Sequence, residues 1–227
     1  MKVAIVKWDD NDGIANALCH ELTALDHEPL AFRFDEPIPL PADVILSFAP
    51  YGRLLQIAQQ LSRLSTQERP LFVHWNMESL PNPSIPWPLT ANIAAFRSWV
   101  DRLNNSDQEW HRLLLAFPPL LHVNQRMTKY RFLGDYHYYH RQKWLDLLIE
   151  TSEYQAAVHR RHGVPALFIP WGTSPEWHSD LELVRDIDVF WMGKPRTRRR
   201  TRLLKKLREA FGSQGLRFYV ADGFENP

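Results

Sequence analysis

Cysteine is nearly absent. The 227-residue chain has one, Cys19, so no disulfide can close within it and nothing points to an oxidising compartment. Long apolar runs are missing as well: no stretch reaches the roughly 18 residues that a membrane span needs. The opening MKVAIVKWDD is too short and too soon charged for a secretion signal, so a cytoplasmic location is expected. No self-similarity recurs at solenoid or propeller periods, which excludes those architectures. One stretch is dense in cations and free of acids. Residues 194–208 (KPRTRRRTRLLKKLR) hold nine Lys or Arg and no Asp or Glu. The chain has 27 basic and 26 acidic residues, so removing these nine leaves 18 against 26, a net charge of −8. One positive patch therefore sits on an acidic remainder, and such a patch calls for an anion.

What is present fits an ordinary globular chain, 44% hydrophobic and 23% charged. Aromatics reach 12% and include nine Trp, which excludes disorder for most of the length. Rings at this density either fill cores or stack on sugars and bases. Short apolar strands are expected at 3–8, 30–34, 43–48 and 71–75, with amphipathic helices at 14–25 and 54–64. DVILSF is apolar almost throughout, as a strand buried on both faces should be. This alternation predicts an α/β fold, a doubly wound parallel sheet of Rossmann-like type, with ligands at the C-terminal ends of the strands. SLPNPSIPWP (79–88) has four prolines in ten residues and is expected to be neither helix nor central strand. Helices are expected near 90–104 and 107–116, ended by Pro118-Pro119. Alternation resumes with a strand at 146–151, a helix at 152–163 capped by Gly163, and a strand at 166–170. After a polar linker, 187–193, 197–211 and 216–221 read as strand, helix and strand. The expected domains are residues 1–178 and 179–227.

Two groups of residues carry chemistry. In the first, a turn between a parallel strand and a helix supplies free backbone N–H groups and a positive dipole end. Gly193 lets the backbone approach an anion closely, and Lys194, Arg196, Arg198 and Arg200 crowd the same turn. Cations oppose the dipole there, so their concentration points to a pyrophosphate. Arg202, Lys205, Lys206 and Arg208 read as a solvated face. No nucleic-acid motif accompanies the run, so nucleic acid is not the expected partner. In the second group, Asp12 and Gly13 follow the first strand, where they make either a plain turn or an opening for a ligand. His74 ends the fourth strand and Glu78 lies just beyond. Together these two suit either orientation and deprotonation of a hydroxyl or a structural imidazole held by a local hydrogen bond. Asp10-Asn11-Asp12 is a D-x-D triplet explained by turn chemistry. The His137/His140 and His159/His162 pairs lack a fixed third ligand, so no metal is assigned.

The blocks LLIETSEYQAAVHRRHGVPALFIPWGTSPEWH (147–178) and IDVFWMGKPRTRRRTRLLKKLRE (187–209) resemble the domain junction of GT-B glycosyltransferases, most closely the retaining, family-four-like and spore-coat-type branch. RFLGDYHYYHRQKWLDLLIETSEY (131–154) resembles the run into that junction, and HWNMES (74–79) its acceptor-side strand tip. The resemblance is specific over 131–220 and loose elsewhere. It implies a metal-independent transfer of sugar, with retention, from a nucleotide-diphosphate donor to a carbohydrate, lipid or protein acceptor, as in polysaccharide biosynthesis. It implies no further cofactor, and it leaves room for peripheral membrane contact. The donor diphosphate would lie at the Gly193 turn and the acceptor near Asp12, Gly13, His74 and Glu78. The carboxylate pair of the family's donor domain has no match here, so the expectation is that the chain ends one unit into that domain and the catalytic residues stay unassigned. The alternative is a non-catalytic nucleotide- or sugar-binding module derived from the same fold.

Overall fold

A computed structural model of the chain describes residues 1–9, 12–48, 53–82, 84–105, 108–125, 127–170, 172, 182, 186–192 and 198–221. The chain divides into two compact units, Met1–Gly172 and Thr173–Pro227. The first runs β1 (Lys2–Lys7), α1 (Gly13–Ala24), β2 (Glu28–Arg33), β3 (Val44–Ser47), α2 (Arg53–Leu61), β4 (Leu71–Asn76), α3 (Trp87–Asn104), α4 (Glu109–Leu115), α5 (Pro118–Gln125), α6 (Thr128–Arg141), β5 (Leu147–Glu150), α7 (Glu153–Arg161) and β6 (Ala166–Phe168). Its six strands form one sheet in the order β2-β1-β3-β4-β5-β6, with every pair parallel. The chain first steps outward from β1 to β2, then crosses back to β3 and proceeds the other way. That reversal puts the topological switch point between β1 and β3, where open α/β sheets take their ligands.

Strand alternation sorts the core into two layers. Val3 and Ile5 of β1 join Val44, Leu46 and Trp75 on the face covered by α1, through Ala15, Leu18, Cys19 and Leu22. Ala4, Val6, Ile45, Phe72 and Leu148 line the other face. Phe34 and Ile38 from the β2–β3 connection cover it, together with residues of α2, α6 and α7. The sheet is thus wound on both sides, as the alternation predicts.

The segment between β4 and β5 departs from expectation. Helix α3 starts inside the proline-rich stretch, at Trp87, with Pro88 in its first turn, where a missing N–H breaks no hydrogen bond. For the same reason Pro118 and Pro119 open α5 rather than only ending its predecessor. Helix α6 was not expected, because its apolar spacing is obscured by charged residues that are themselves buried. It runs antiparallel to α3 at very short range: a Cβ on Gly134 would lie 2.1 Å from Ala94 O and 2.7 Å from Ser98 Cβ. Across this contact Arg131 Nη1 donates to Asp101 Oδ1 at 3.0 Å, and Arg97, 1% exposed, lies 4.0 Å from the same oxygen. Ser98 donates to Asp135 and receives Arg102 Nη1 at 2.5 Å. Burial foremost, then Asp101, pushes the Asp135 carboxyl up to about 7, while the Ser98 hydrogen bond and the neighbouring Arg131 and Arg102 pull it down. Tyr136 and Tyr139 of α6 belong to the core.

The second unit contains β7 (Val189–Met192), α8 (Arg198–Ser213) and β8 (Phe218–Ala221), with the two strands parallel. Leu204 of α8 is buried, and Phe211 packs on Phe218 with ring centroids 5.6 Å apart. The helix ends through Gly215 at φ +73°, with Leu216 N bonded to Phe211 O.

Gly134 tests the α3–α6 contact. An alanine gains about 1 kcal/mol of helix propensity, but its methyl must displace the Ala94 carbonyl. We expect Gly134→Ala to destabilise the fold by roughly 2 kcal/mol or more, in line with overpacked cores. Urea denaturation reads the result, and an unchanged or higher midpoint would show that the helices are not in close contact.

Candidate functional site

At the C-terminal edge of the sheet, α1 begins directly beyond β1. Asp12 is its N-cap: Oδ1 accepts from Ala15 N at 3.1 Å, and Oδ2 accepts from Trp8 N at 3.0 Å. Both carboxylate oxygens thus close the turn and cap the helix. Gly13 is exposed, and no described atom comes within 4 Å of where a Cβ would stand, so no described packing demands glycine there.

Under the same edge, on the opposite face from α1, lies a continuous buried polar cluster. Ser47, His74, Asn76, Glu150 and His159 are each at most 5% exposed. The first four come from adjoining strands, since Ser47 is registered with His74 and Asn76 with Glu150, and His159 comes from α7. Tyr136 of α6 donates its hydroxyl proton to Asn76 Oδ1 at 2.8 Å, so its oxygen is left to accept from His74 Nε2 at 3.3 Å. The neutral imidazole then accepts at Nδ1 from Ser47 Oγ, 3.4 Å away. Burial pushes the His74 imidazole down to about 4, which keeps it neutral at pH 7. His74 therefore acts as an internal strut and not as an exposed base.

Glu150 sits at the centre. Its oxygens accept from Asn76 Nδ2 at 2.9 and 3.1 Å and from Gln155 Nε2 at 2.9 Å, and His159 Nε2 lies 3.0 Å away. The same amides hold the segment beyond β4. Asn76 Nδ2 donates to Glu78 O at 2.9 Å, Glu78 N donates to Asn76 Oδ1 at 3.0 Å, and Gln155 Nε2 reaches Glu78 O at 3.3 Å. Glu78 is half-buried, its backbone is pinned on both sides, and among the described residues nothing pairs with its carboxylate.

Of the four residues expected on the acceptor side, Asp12, Gly13 and Glu78 lie at the sheet edge, while His74 is turned inward beneath it. Glu150 and Gln155 were not singled out from the sequence, and His159 was named only in a histidine pair to which no metal is assigned. The available signal was a glutamate ending the otherwise apolar strand LLIE. On the donor side Arg198 and Arg200 stand exposed in the first turn of α8, whereas Gly193, Lys194 and Arg196 lie outside the described residues. Among the described residues no group of three His, Cys, Asp or Glu is arranged to hold a metal ion, and no helix is long and apolar enough to cross a membrane. Comparison with protein-family models, curated proteins and solved structures gave no match to this chain.

Two outcomes follow from the cluster. Glu150→Ala strips partners from Asn76, Gln155 and His159 at once and should cost about 3 kcal/mol or more, with Glu150→Gln costing less. Equal urea midpoints for the alanine variant and the parent would remove Glu150 from the centre of the network. The second concerns acid. His74 has its folded pKa below the unfolded one, so on acidification the unfolded chain takes up a proton first and stability falls as pH drops from about 6.5 to about 4. In His74→Gln that loss should shrink by roughly 2 kcal/mol between pH 7 and pH 4.5. Parallel stability–pH curves would show that His74 is not held neutral.

Proposed function

We propose that the chain comprises an acceptor-side domain and a strand–helix–strand unit of the donor side of a nucleotide-sugar-dependent glycosyltransferase of GT-B type. The observation that carries this reading is the tandem order: a doubly wound parallel unit followed by a parallel strand–helix–strand whose helix opens on arginines. The sequence resemblance at the junction supports the same order. In this reading the donor diphosphate is held by the Gly193–Lys194 turn with Arg196, Arg198 and Arg200. The acceptor lies at the sheet edge by Gly13 and Glu78, with Asp12 capping the helix at Gly13 and His74 bracing the strands beneath through Ser47 and Tyr136. Glu78 is the residue suited to orient an acceptor hydroxyl, because its backbone is immobilised while its carboxylate faces no described partner. The donor nucleotide sugar is a substrate, and no separate cofactor is invoked.

One observation favours a second reading, a nucleotide- or sugar-binding module without turnover. Among the described residues the imidazoles under the edge, His74 and His159, are both enclosed, so the site as described offers no exposed histidine base.

Calorimetric titration with UDP and GDP tests the donor assignment. Saturable binding of either is expected. Replacing Lys194 and Arg198 together by Ala should weaken it about 100-fold, on the strength of charge-assisted hydrogen bonds. Replacing Lys205 and Arg208, both exposed, should change it little. Equal losses from the two pairs would mean diffuse charge attraction, and absence of nucleotide binding would remove the donor site.

A further inference from the structure

Two clefts meet at Trp87 on the helical side of the first unit. One, of about 360 Å³, lies between the start of α3, the last turns of α6 and the end of α7. The other, of about 160 Å³, runs between residues 80–90 and α7. Trp87 and His162 line both, with rings stacked at 3.5 Å and 5°. The larger volume falls in the usual range of ligand pockets, roughly 300–1,000 Å³, and the smaller one extends it. The groove reaches the edge site: Leu80, which lines it, donates its N–H at 2.8 Å to Gln155, the side chain that also holds Glu78.

The lining has three properties. Among the described residues no Asp or Glu takes part, while Arg141 lines one cleft and Arg161 the other, both exposed. On a chain whose remainder outside the basic run is net −8, this local lack of acid selects for anions. Aromatic surface accompanies the charge, with Tyr154, 58% exposed, lining the same cleft as Trp87. Amide side chains complete it, Asn92 in the larger cleft and Asn82 in the smaller. Planar guanidinium forks match carboxylates, aromatic rings cover the C–H faces of pyranose rings, and side-chain amides suit sugar hydroxyls.

We propose that these joined clefts form a binding groove for an acidic oligosaccharide, a chain of sugar rings bearing carboxylates. The two arginines pair with the acid groups, and Tyr154 and Trp87 take the ring faces. That this glycan is the acceptor rests on the transferase reading; the binding itself does not. A short peptide of like charge lacks rings to cover the aromatic walls, and a neutral glycan leaves both arginines unpaired.

The test is calorimetry at neutral pH without donor, using hexagalacturonate, maltohexaose and hexaglutamate as probes. Saturable binding of hexagalacturonate is expected, at least about tenfold tighter than either of the others. Arg161→Ala and Tyr154→Ala alter exposed side chains and should each weaken it about tenfold, with the circular dichroism spectrum unchanged. Trp87→Ala should weaken it further, but Trp87 opens α3, so the two exposed positions carry the test. Absence of saturable hexagalacturonate binding, equal binding of hexaglutamate, or full affinity in Arg161→Ala and Tyr154→Ala would each overturn the groove. Nucleotide titration reports separately on the transferase reading. A chain that binds hexagalacturonate but neither UDP nor GDP keeps the groove and loses that reading, and the reverse result loses the groove alone.

Discussion

Burying the Glu150 carboxylate at the end of β5 constrains everything around it. An ionised carboxylate taken out of water loses several kcal/mol of hydration, so it persists only where donors surround it. Asn76 comes from the neighbouring strand and Gln155 from α7, and His159 Nε2, also on α7, lies 3.0 Å from the carboxylate. Each donor then has remaining polar atoms to satisfy. Asn76 meets this by engaging Tyr136 and the backbone of Glu78, and Gln155 by engaging Leu80 and Glu78. One buried charge thereby fixes the tip of β4, the start of the proline-rich segment, the rotation of α7 and the face of α6 turned to the sheet.

The α3–α6 contact obeys the same rule by other means. Gly134 brings the two backbones close enough that little apolar side chain fits between them, so the space near the crossing is filled by Arg97, Asp101, Arg131, Asp135 and Ser98. Such a cluster is costly to bury and tolerates few alternative registers, since a shift by one turn would leave at least one charge without its counterpart. Arg102 extends it to the surface by covering the Tyr138 ring at 3.7 Å.

These two buried networks explain what was legible in the sequence. Strands β1, β3, β4 and β5 carry near-continuous apolar runs, and α1 and α2 have clean amphipathic spacing, so a doubly wound parallel sheet follows from pattern alone. The pattern fails at α6, where Arg131, Asp135 and Tyr136 occupy core positions and mimic a solvent face. Likewise His74 and Glu78 stand at a strand tip in the sequence, but the direction of the imidazole depends on Ser47 and Tyr136, which lie 27 and 62 residues away. Asp12 is the converse case. Its place before an apolar helical stretch suffices to identify a cap, and the structure gives both of its oxygens to the turn.

The edge and the groove divide a labour that neither performs alone. Groups that hold geometry are enclosed, paired and, in the case of His74, kept neutral by burial. Groups with remaining capacity face outward: the Glu78 carboxylate, the Tyr154 ring, and the Arg141 and Arg161 guanidiniums. Gln155 lies between the two sets, because one amide fixes both Glu78 at the edge and Leu80 at the mouth of the groove. A ligand that displaced Leu80 would break its N–H bond to the amide that also bonds Glu150. In the proposed groove that bond ties the backbone at Leu80 to the buried network, and a surface held before binding loses less ordering entropy when a ligand arrives.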